Sequence, residues 1–343
     1  MTRSLRFDQF MRAAMYGPSG FYSTGNGAGT SRDFLTSPEV GSLFGAVLAR
    51  RLDREWKRLG CPSVFTVVEV GAGPGTLART VFAANPECSK SLRYVLVDAA
   101  EGMRLLHHDH LPSGHVESVA ELPTQPFAGV IFANELFDNI PCRLLRFDGR
   151  TGRWVERWVD PPTGTTSASE RDVDADDDVQ ALARQLVPQP TDGCEIPLQS
   201  EAAELCGTML ALLTAGAMIV IDYTRHDTAE FATRPRAEWM RTYHHHVRGA
   251  NVLERAGQCD ITVDVALDQL VAVIGPPQSL LAQAEALVSW GLDAVLQTSA
   301  SKWAERSSDY DLQALRARSH RSEVAMLTDP VGLGGFTVLE WHR

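Results

Sequence analysis

Apolar residues at Leu5, Phe7, Phe10, Met11, Ala14 and Met15 recur at helical spacing, so residues 1–24 are predicted to form an amphipathic helix and a turn. Gly17, Pro18 and Gly20 break that helix. Residues 25–33 are glycine-rich and polar and read as a mobile loop. Ser37-Pro38-Glu39 then opens a second helix, with a capping serine, a proline at the first helical position and an acid suited to the dipole. Its apolar face runs through Leu43, Phe44, Val47, Leu48 and Leu52 to about residue 59. From Val64 onward, apolar runs alternate with helix-compatible segments. Strands are predicted at 64–70, 92–98, 128–134, 216–222 and 271–275, with a C-terminal hairpin that includes 336–341. Residues 209–221 read as a helix end, a glycine stop at Gly216 and a buried strand. The order is that of an α/β protein, a mostly parallel, doubly wound, Rossmann-like sheet with helices on both faces. Two stretches interrupt it. Residues 160–178 are polar and acidic, as in a surface loop or disordered insertion. Residues 225–262 are rich in Arg and His and weakly periodic.

The chemistry concentrates in Glu69-Val70-Gly71-Ala72-Gly73-Pro74-Gly75-Thr76, a β-branched run leading into a glycine turn and a helix. Such glycines let a backbone pass close to a nucleotide-type ligand in dihedrals closed to other residues. A dinucleotide fingerprint would place its third glycine at position 76, where this chain has Thr76. The form with glycines at 71, 73 and 75 and an acid at Glu69 resembles motif I of class I S-adenosylmethionine-dependent methyltransferases. About twenty residues on, 92–98 reads as a second strand ending in Asp98, whose carboxylate can accept hydrogen bonds from a ribose. An ordinary helix cap is the other reading of Asp98.

Composition narrows the field. The chain has 343 residues, 44% of them apolar, and a formal net charge of -11. No basic stripe is present, which argues against duplex nucleic acid as a partner. The six cysteines are scattered without a C-x-x-C pair, as in small buried residues of a reducing compartment. No apolar run approaches the ~20 residues of a membrane span. The expectation is a soluble, cytoplasmic protein with no membrane partner.

Beyond the glycine loop, specific strings resemble the MidA/NDUFAF7 group of class I methyltransferases. They are Asp33-Phe34-Leu35-Thr36-Ser37-Pro38-Glu39 and Ala133-Asn134-Glu135-Leu136-Phe137-Asp138, with Gly20-Phe21-Tyr22, Ile221-Asp222-Tyr223, Gln258-Cys259-Asp260-Ile261-Thr262 and Leu327-Thr328-Asp329-Pro330 in support. The likeness runs over nearly the whole chain. It implies S-adenosylmethionine as cofactor and methylation of an arginine on a protein substrate, which in mitochondria is a subunit of respiratory complex I. Two departures stand out: Arg32 where the group has glycine, and Asp98 where it has glutamate. The expected layout is an N-terminal helical cap and lid loop over 1–58 and a methyltransferase domain over 59–343, with insertions at 160–178 and on the substrate side at 225–262. A homodimer is left open.

Methyl transfer from a sulfonium is a direct displacement, so a protein's part is alignment and electrostatics. Gly71, Gly73 and Gly75 are expected around the cofactor. Glu69 would anchor the loop or, through water, the methionine ammonium, and Glu117 would approach the adenine. Asn134, Glu135 and Asp138 follow the fourth strand, where substrate meets cofactor in open α/β sheets. Glu135 and Asp138 are three apart and could share a helical face, offering carboxylates to a guanidinium. Glu39 is the other candidate acid, and Asp33 with Thr36 would fold a lid over the cofactor. His107-His108-x-His110 and His244-His245-His246 lack partners at ligand spacing, so no metal site is expected. A small-molecule methyltransferase and a non-enzymatic, cofactor-binding assembly factor are the rival readings.

Overall fold

The computed structural model describes residues 3–23, 36–107, 111–112, 114–163, 167–244, 247–249, 251–306 and 312–343. The expected mobile loop, with Arg32 and Asp33, lies outside them, as do His108, His110, His245 and His246. The chain divides into two compact units.

The larger unit takes the described residues of 28–135, 209–222 and 276–343. Its seven strands are β1 (Phe65–Val70), β2 (Leu92–Val97), β3 (Val116–Val119), β4 (Phe127–Asn134), β5 (Leu213–Asp222), β6 (Ser279–Ala282) and β7 (Thr337–His342). Their order is β6-β7-β5-β4-β1-β2-β3. Strands β1 to β5 run parallel, while β7 is antiparallel to β5 and β6 to β7. All six residues of β1 are buried, as a central parallel strand requires. The chain winds outward through β2 and β3, then returns to the far side of β1 as β4. That reversal makes the carboxyl ends of β1 and β4 the topological switch point, where open α/β sheets bind ligands.

Gly216 is no stop. It sits inside β5, and a Cβ there would lie 1.8 Å from the Gly129 carbonyl oxygen. The neighbouring backbones need glycine for close approach, not for a turn.

Helix α1 (Phe7–Tyr16) forms where the periodicity placed it. The second predicted helix is two, α2 (Ser37–Val40) and α3 (Leu43–Arg58). The break has a physical cause. The Glu323 carboxylate inserts at Gly41, where a Cβ would lie 2.2 Å from its Cδ, and accepts the Leu43 N–H at 2.7 Å. Helix α4 (Thr76–Ala84) follows the glycine loop, and α3 crosses it closely, because Gly45 leaves room for Thr80.

The smaller unit takes the described residues of 1–27, 136–208 and 223–275. Helix α1 therefore groups with later segments, whereas α3 belongs to the parallel sheet, a partition different from the expected break at 58. The unit holds a five-stranded antiparallel sheet: Leu5–Arg6, Arg153–Asp160, Arg143–Asp148 and Glu195–Leu198 in order, with Ser169–Asp174 also paired to Arg153–Asp160. Ser169–Asp174 corrects the expected loop over 160–178. Its acids pair with cationic neighbours: Arg157 and Arg236 both meet Glu170, and Arg157 meets Asp172 at 2.5 Å. Carboxylates that looked like solvated, disordered chain are ladder partners. Residues 271–275 are likewise not a strand; they close the helix Leu267–Ile274, whose Leu267 and Leu270 are buried, and Gly275 ends it at φ +77°. The core includes Phe7, Phe10, Trp154, Phe231 and Trp239.

Candidate functional site

In the larger unit, β1 runs into a loop in which Gly71, Gly73 and Gly75 all have positive φ, at 72°, 52° and 76°. These are left-handed values that favour glycine. The Val97 carbonyl accepts from the N–H groups of both Gly71 and Ala72, tying the loop's start to the end of β2. Arg79 closes the other end, donating to the Pro74 carbonyl and to Thr76 Oγ1. Gly73 is held on both sides. Its N–H donates to Asp98 Oδ2 at 2.8 Å, and its carbonyl meets His107 Nε2 at 2.7 Å. A Cβ built on Gly73 would touch nothing within 4 Å. The loop thus presents open space above its middle glycine.

Asp98 also accepts the Ala100 N–H at 2.8 Å, so it is both helix cap and loop anchor. Burial pushes its carboxyl up to about 6, against the pull of the two backbone N–H groups.

At the carboxyl end of β4, Val70 of β1 pairs with Ala133, so Gly71 and Asn134 leave adjacent strands at one level. Asn134 Nδ2 donates to Glu135 Oε1 at 2.8 Å, while its buried Oδ1 has no hydrogen-bond partner among the described residues. Glu135 is a non-glycine residue at φ +51°, held there as its N–H donates to the Ile221 carbonyl of β5. A left-handed glutamate stores of order 1–3 kcal/mol of strain, a feature that gathers at functional sites. Glu135 Oε1 also receives the Ser37 N–H at 3.4 Å. The start of α2 is therefore served by the acid of β4. Ser37 is not the cap: it is the first residue of α2, and its hydroxyl donates to Gln283 Oε1. Thr36 is buried and Glu39 half-buried in the same turn, where the Glu39 N–H donates to the Thr36 carbonyl.

Three expected residues are placed differently. Glu69 is 5% exposed and accepts the Tyr94 hydroxyl of β2 at 2.7 Å. Burial pushes its carboxyl up to about 8. It is a buried acid of the parallel sheet. Glu117 lies exposed within β3 and forms a surface pair with Arg93 of β2 at 2.7 Å. Asp138 does not share a helical face with Glu135, because the left-handed Glu135 precedes a short turn over Phe137–Asn139.

In the smaller unit, Asp138 is 3% exposed. Its neighbour Asn139 accepts from the Tyr22 hydroxyl at 2.9 Å and donates to Asp260 Oδ1 and to the Ile261 carbonyl. Tyr22 also reaches Asp260 at 3.1 Å and stacks on Tyr16. Burial first, then the charges of Asp260 and Asp138 among others, hold the Tyr22 hydroxyl well above its ordinary range. This cluster gives a structural role to Tyr22 and Asp260 of the recognised strings, a role that sequence spacing could not reveal.

Among the described residues, no group of three or more His, Cys, Asp or Glu is placed to hold a metal ion, and no helix is long and apolar enough to cross a membrane. What the switch point offers is a nucleotide-type site: an open glycine loop, a carboxylate at the end of β2, and a buried amide oxygen without a partner at the end of β4. These groups fit S-adenosylmethionine.

Comparison with known proteins settles the family. Residues 47–279 match the model of an S-adenosyl-L-methionine-dependent methyltransferase family. The chain belongs to this family. It is similar to the mitochondrial protein arginine methyltransferase NDUFAF7 homolog of Drosophila melanogaster, at 27% identity over 75% of this chain. That match spans 63% of the fly protein, less than two thirds of its length. The NDUFAF7 protein arginine methyltransferase of Danio rerio is 24% identical over 98% of this chain and 83% of its own. The fold is that of a Burkholderia thailandensis protein bound to S-adenosyl-homocysteine, with a TM-score of 0.82, 24% identity, and coverage of 99% of this chain and 88% of that one. The chain is thus a class I methyltransferase in fold and family.

Proposed function

We propose that the protein transfers the methyl group of S-adenosylmethionine to an arginine side chain of a protein substrate. The observation that carries this reading is the register at the switch point, where the open glycine loop and the Asn134-Glu135 tip emerge side by side from β1 and β4. The cofactor, when bound, supplies an electrophilic methyl group. Gly71, Gly73 and Gly75 give it close backbone approach, Asp98 offers an acceptor for ribose hydroxyls, and Asn134 Oδ1 offers a buried acceptor. Glu135 presents a carboxylate next to that site. A carboxylate matches a guanidinium in charge and geometry, and it orients the nitrogen that must attack. Deprotonating a guanidinium is costly, so an acceptor at the reacting nitrogen assists. The names of the fly and zebrafish relatives support arginine over other nucleophiles. The test is quantitative mass spectrometry of arginine methylation in cells with and without the gene. Loss of methylation at one or a few protein arginines is expected. An unchanged arginine methylome, with a methyl lost elsewhere, would replace arginine with another acceptor.

A further inference from the structure

His107 is fully buried in the larger unit, three residues beyond the short helix Glu101–Arg104. Its ring bridges two elements of the sheet's carboxyl edge: Nε2 lies 2.7 Å from the Gly73 carbonyl oxygen, and Nδ1 lies 2.8 Å from Ser118 Oγ of β3. A carbonyl can only accept, so Nε2 carries the proton. In the neutral ring Nδ1 then accepts, and the Ser118 hydroxyl donates to it. The same ring lies under Gly75, whose Cβ position would be 3.5 Å from His107 Cδ2. With Asp98 on the Gly73 N–H, the middle glycine has a side-chain partner on each of its two peptide groups.

We infer that His107 is a positioning residue for the cofactor: as its Nε2–H tautomer it fixes the Gly73 carbonyl and so sets the glycine loop in its binding conformation before the ligand arrives. The inference rests on the reading of that loop as the S-adenosylmethionine site. Glycine has more backbone freedom than any other residue, and Gly73 has no side chain to hold it. Without His107 the loop must be ordered at the moment of binding, which lowers affinity.

The test compares His107→Leu with His107→Gln in the full-length protein, reading S-adenosyl-homocysteine affinity by calorimetry and Tm by scanning calorimetry. Leu keeps the bulk and removes the donor. Gln carries an amide N–H that can reach the same carbonyl. About tenfold weaker binding is expected for Leu, with most of it regained in Gln, at similar Tm in the two variants. Wild-type affinity in a folded His107→Leu, or equal losses in both variants that track Tm, would overturn the inference. If His107→Leu does not fold, 15N imidazole spectra of the wild-type protein decide the tautomer. A protonated Nε2 supports the inference, and the Nδ1–H tautomer, which has no donor for the Gly73 carbonyl, overturns it. A wild-type protein that does not bind S-adenosyl-homocysteine would instead defeat the cofactor-site reading itself.

Discussion

Glu69→Gln tests the placement of the motif acid in the core. The Glu69 carboxyl is pushed from its ordinary 4.5 up to about 8, first by burial and then by the charge of Asp98, while the Tyr94 hydroxyl pulls it down. Between those two values the folded protein holds a proton that the unfolded chain releases. Stability therefore falls as pH rises through this window, and the contribution is complete only below about 4.5. At ~1.4 kcal/mol for each pH unit, the separation sets a ceiling of roughly 5 kcal/mol, and partial relaxation around the charge brings the expected loss to about 2–4 kcal/mol. Gln keeps the shape and the acceptor for Tyr94 but cannot ionise. Its buried amide N–H lacks a ready partner, which costs about 1–2 kcal/mol. Urea denaturation of both proteins at pH 5, 7 and 9 reads the difference. Glu69→Gln should be the less stable protein at pH 5 and should match or exceed wild type at pH 9, with little change in S-adenosyl-homocysteine affinity. Parallel pH profiles, or a Gln variant that loses ground as pH rises, would refute the buried, proton-binding Glu69.

Other consequences follow from the same geometry. Gly73→Val places a side chain in the open space above the loop and forces a left-handed valine; calorimetry should show no S-adenosyl-homocysteine binding while far-UV circular dichroism stays near wild type. Asp98 is held up to about 6 by burial, and only its carboxylate can accept on every lone pair, so S-adenosyl-homocysteine affinity should fall as pH drops below about 6. Asp98→Asn should be weak at every pH, and a flat pH profile in wild type would remove Asp98 from ligand contact. Glu135→Gln should retain S-adenosyl-homocysteine binding but lose most methyl transfer to protein; a fully active variant would move the acid role to Glu39. Gly129→Ala sets a methyl 1.9 Å from the Thr66 carbonyl oxygen, so chemical denaturation should show a loss of at least ~3 kcal/mol.

How much of this was legible depended on the range of the interactions. Strands β1, β2, β4 and β5 are apolar runs buried on both faces, and glycines mark the turn after β1, so the α/β class and the loop could be read locally. The antiparallel sheet could not. Its strands Arg143–Asp148 and Arg153–Asp160 mix charge with apolar residues, and their stability comes from cross-strand pairs such as Arg157 with Asp172 and Glu170. Residues 271–275 misled because Val271, Val273 and Ile274 favour strands by type, whereas the buried Leu267 and Leu270 impose helical spacing. The break between α2 and α3 is made by Glu323, 280 residues from the Leu43 it caps. Glu69 was visible as a motif acid, but its partner Tyr94 sits on the next strand and turns it inward. The histidine run around His107 suggests only a metal ligand, and nothing in its spacing points to the Gly73 carbonyl.

The most direct measurement uses purified protein, S-adenosylmethionine carrying a deuterated methyl group, and an extract of cells that lack the gene. Tandem mass spectrometry then locates the label. The account predicts deuterated methyl groups on the guanidinium of one or a few protein arginines, present with wild type and absent with Gly73→Val. Label on no protein, or only on lysine, carboxylate or a small molecule, would contradict it.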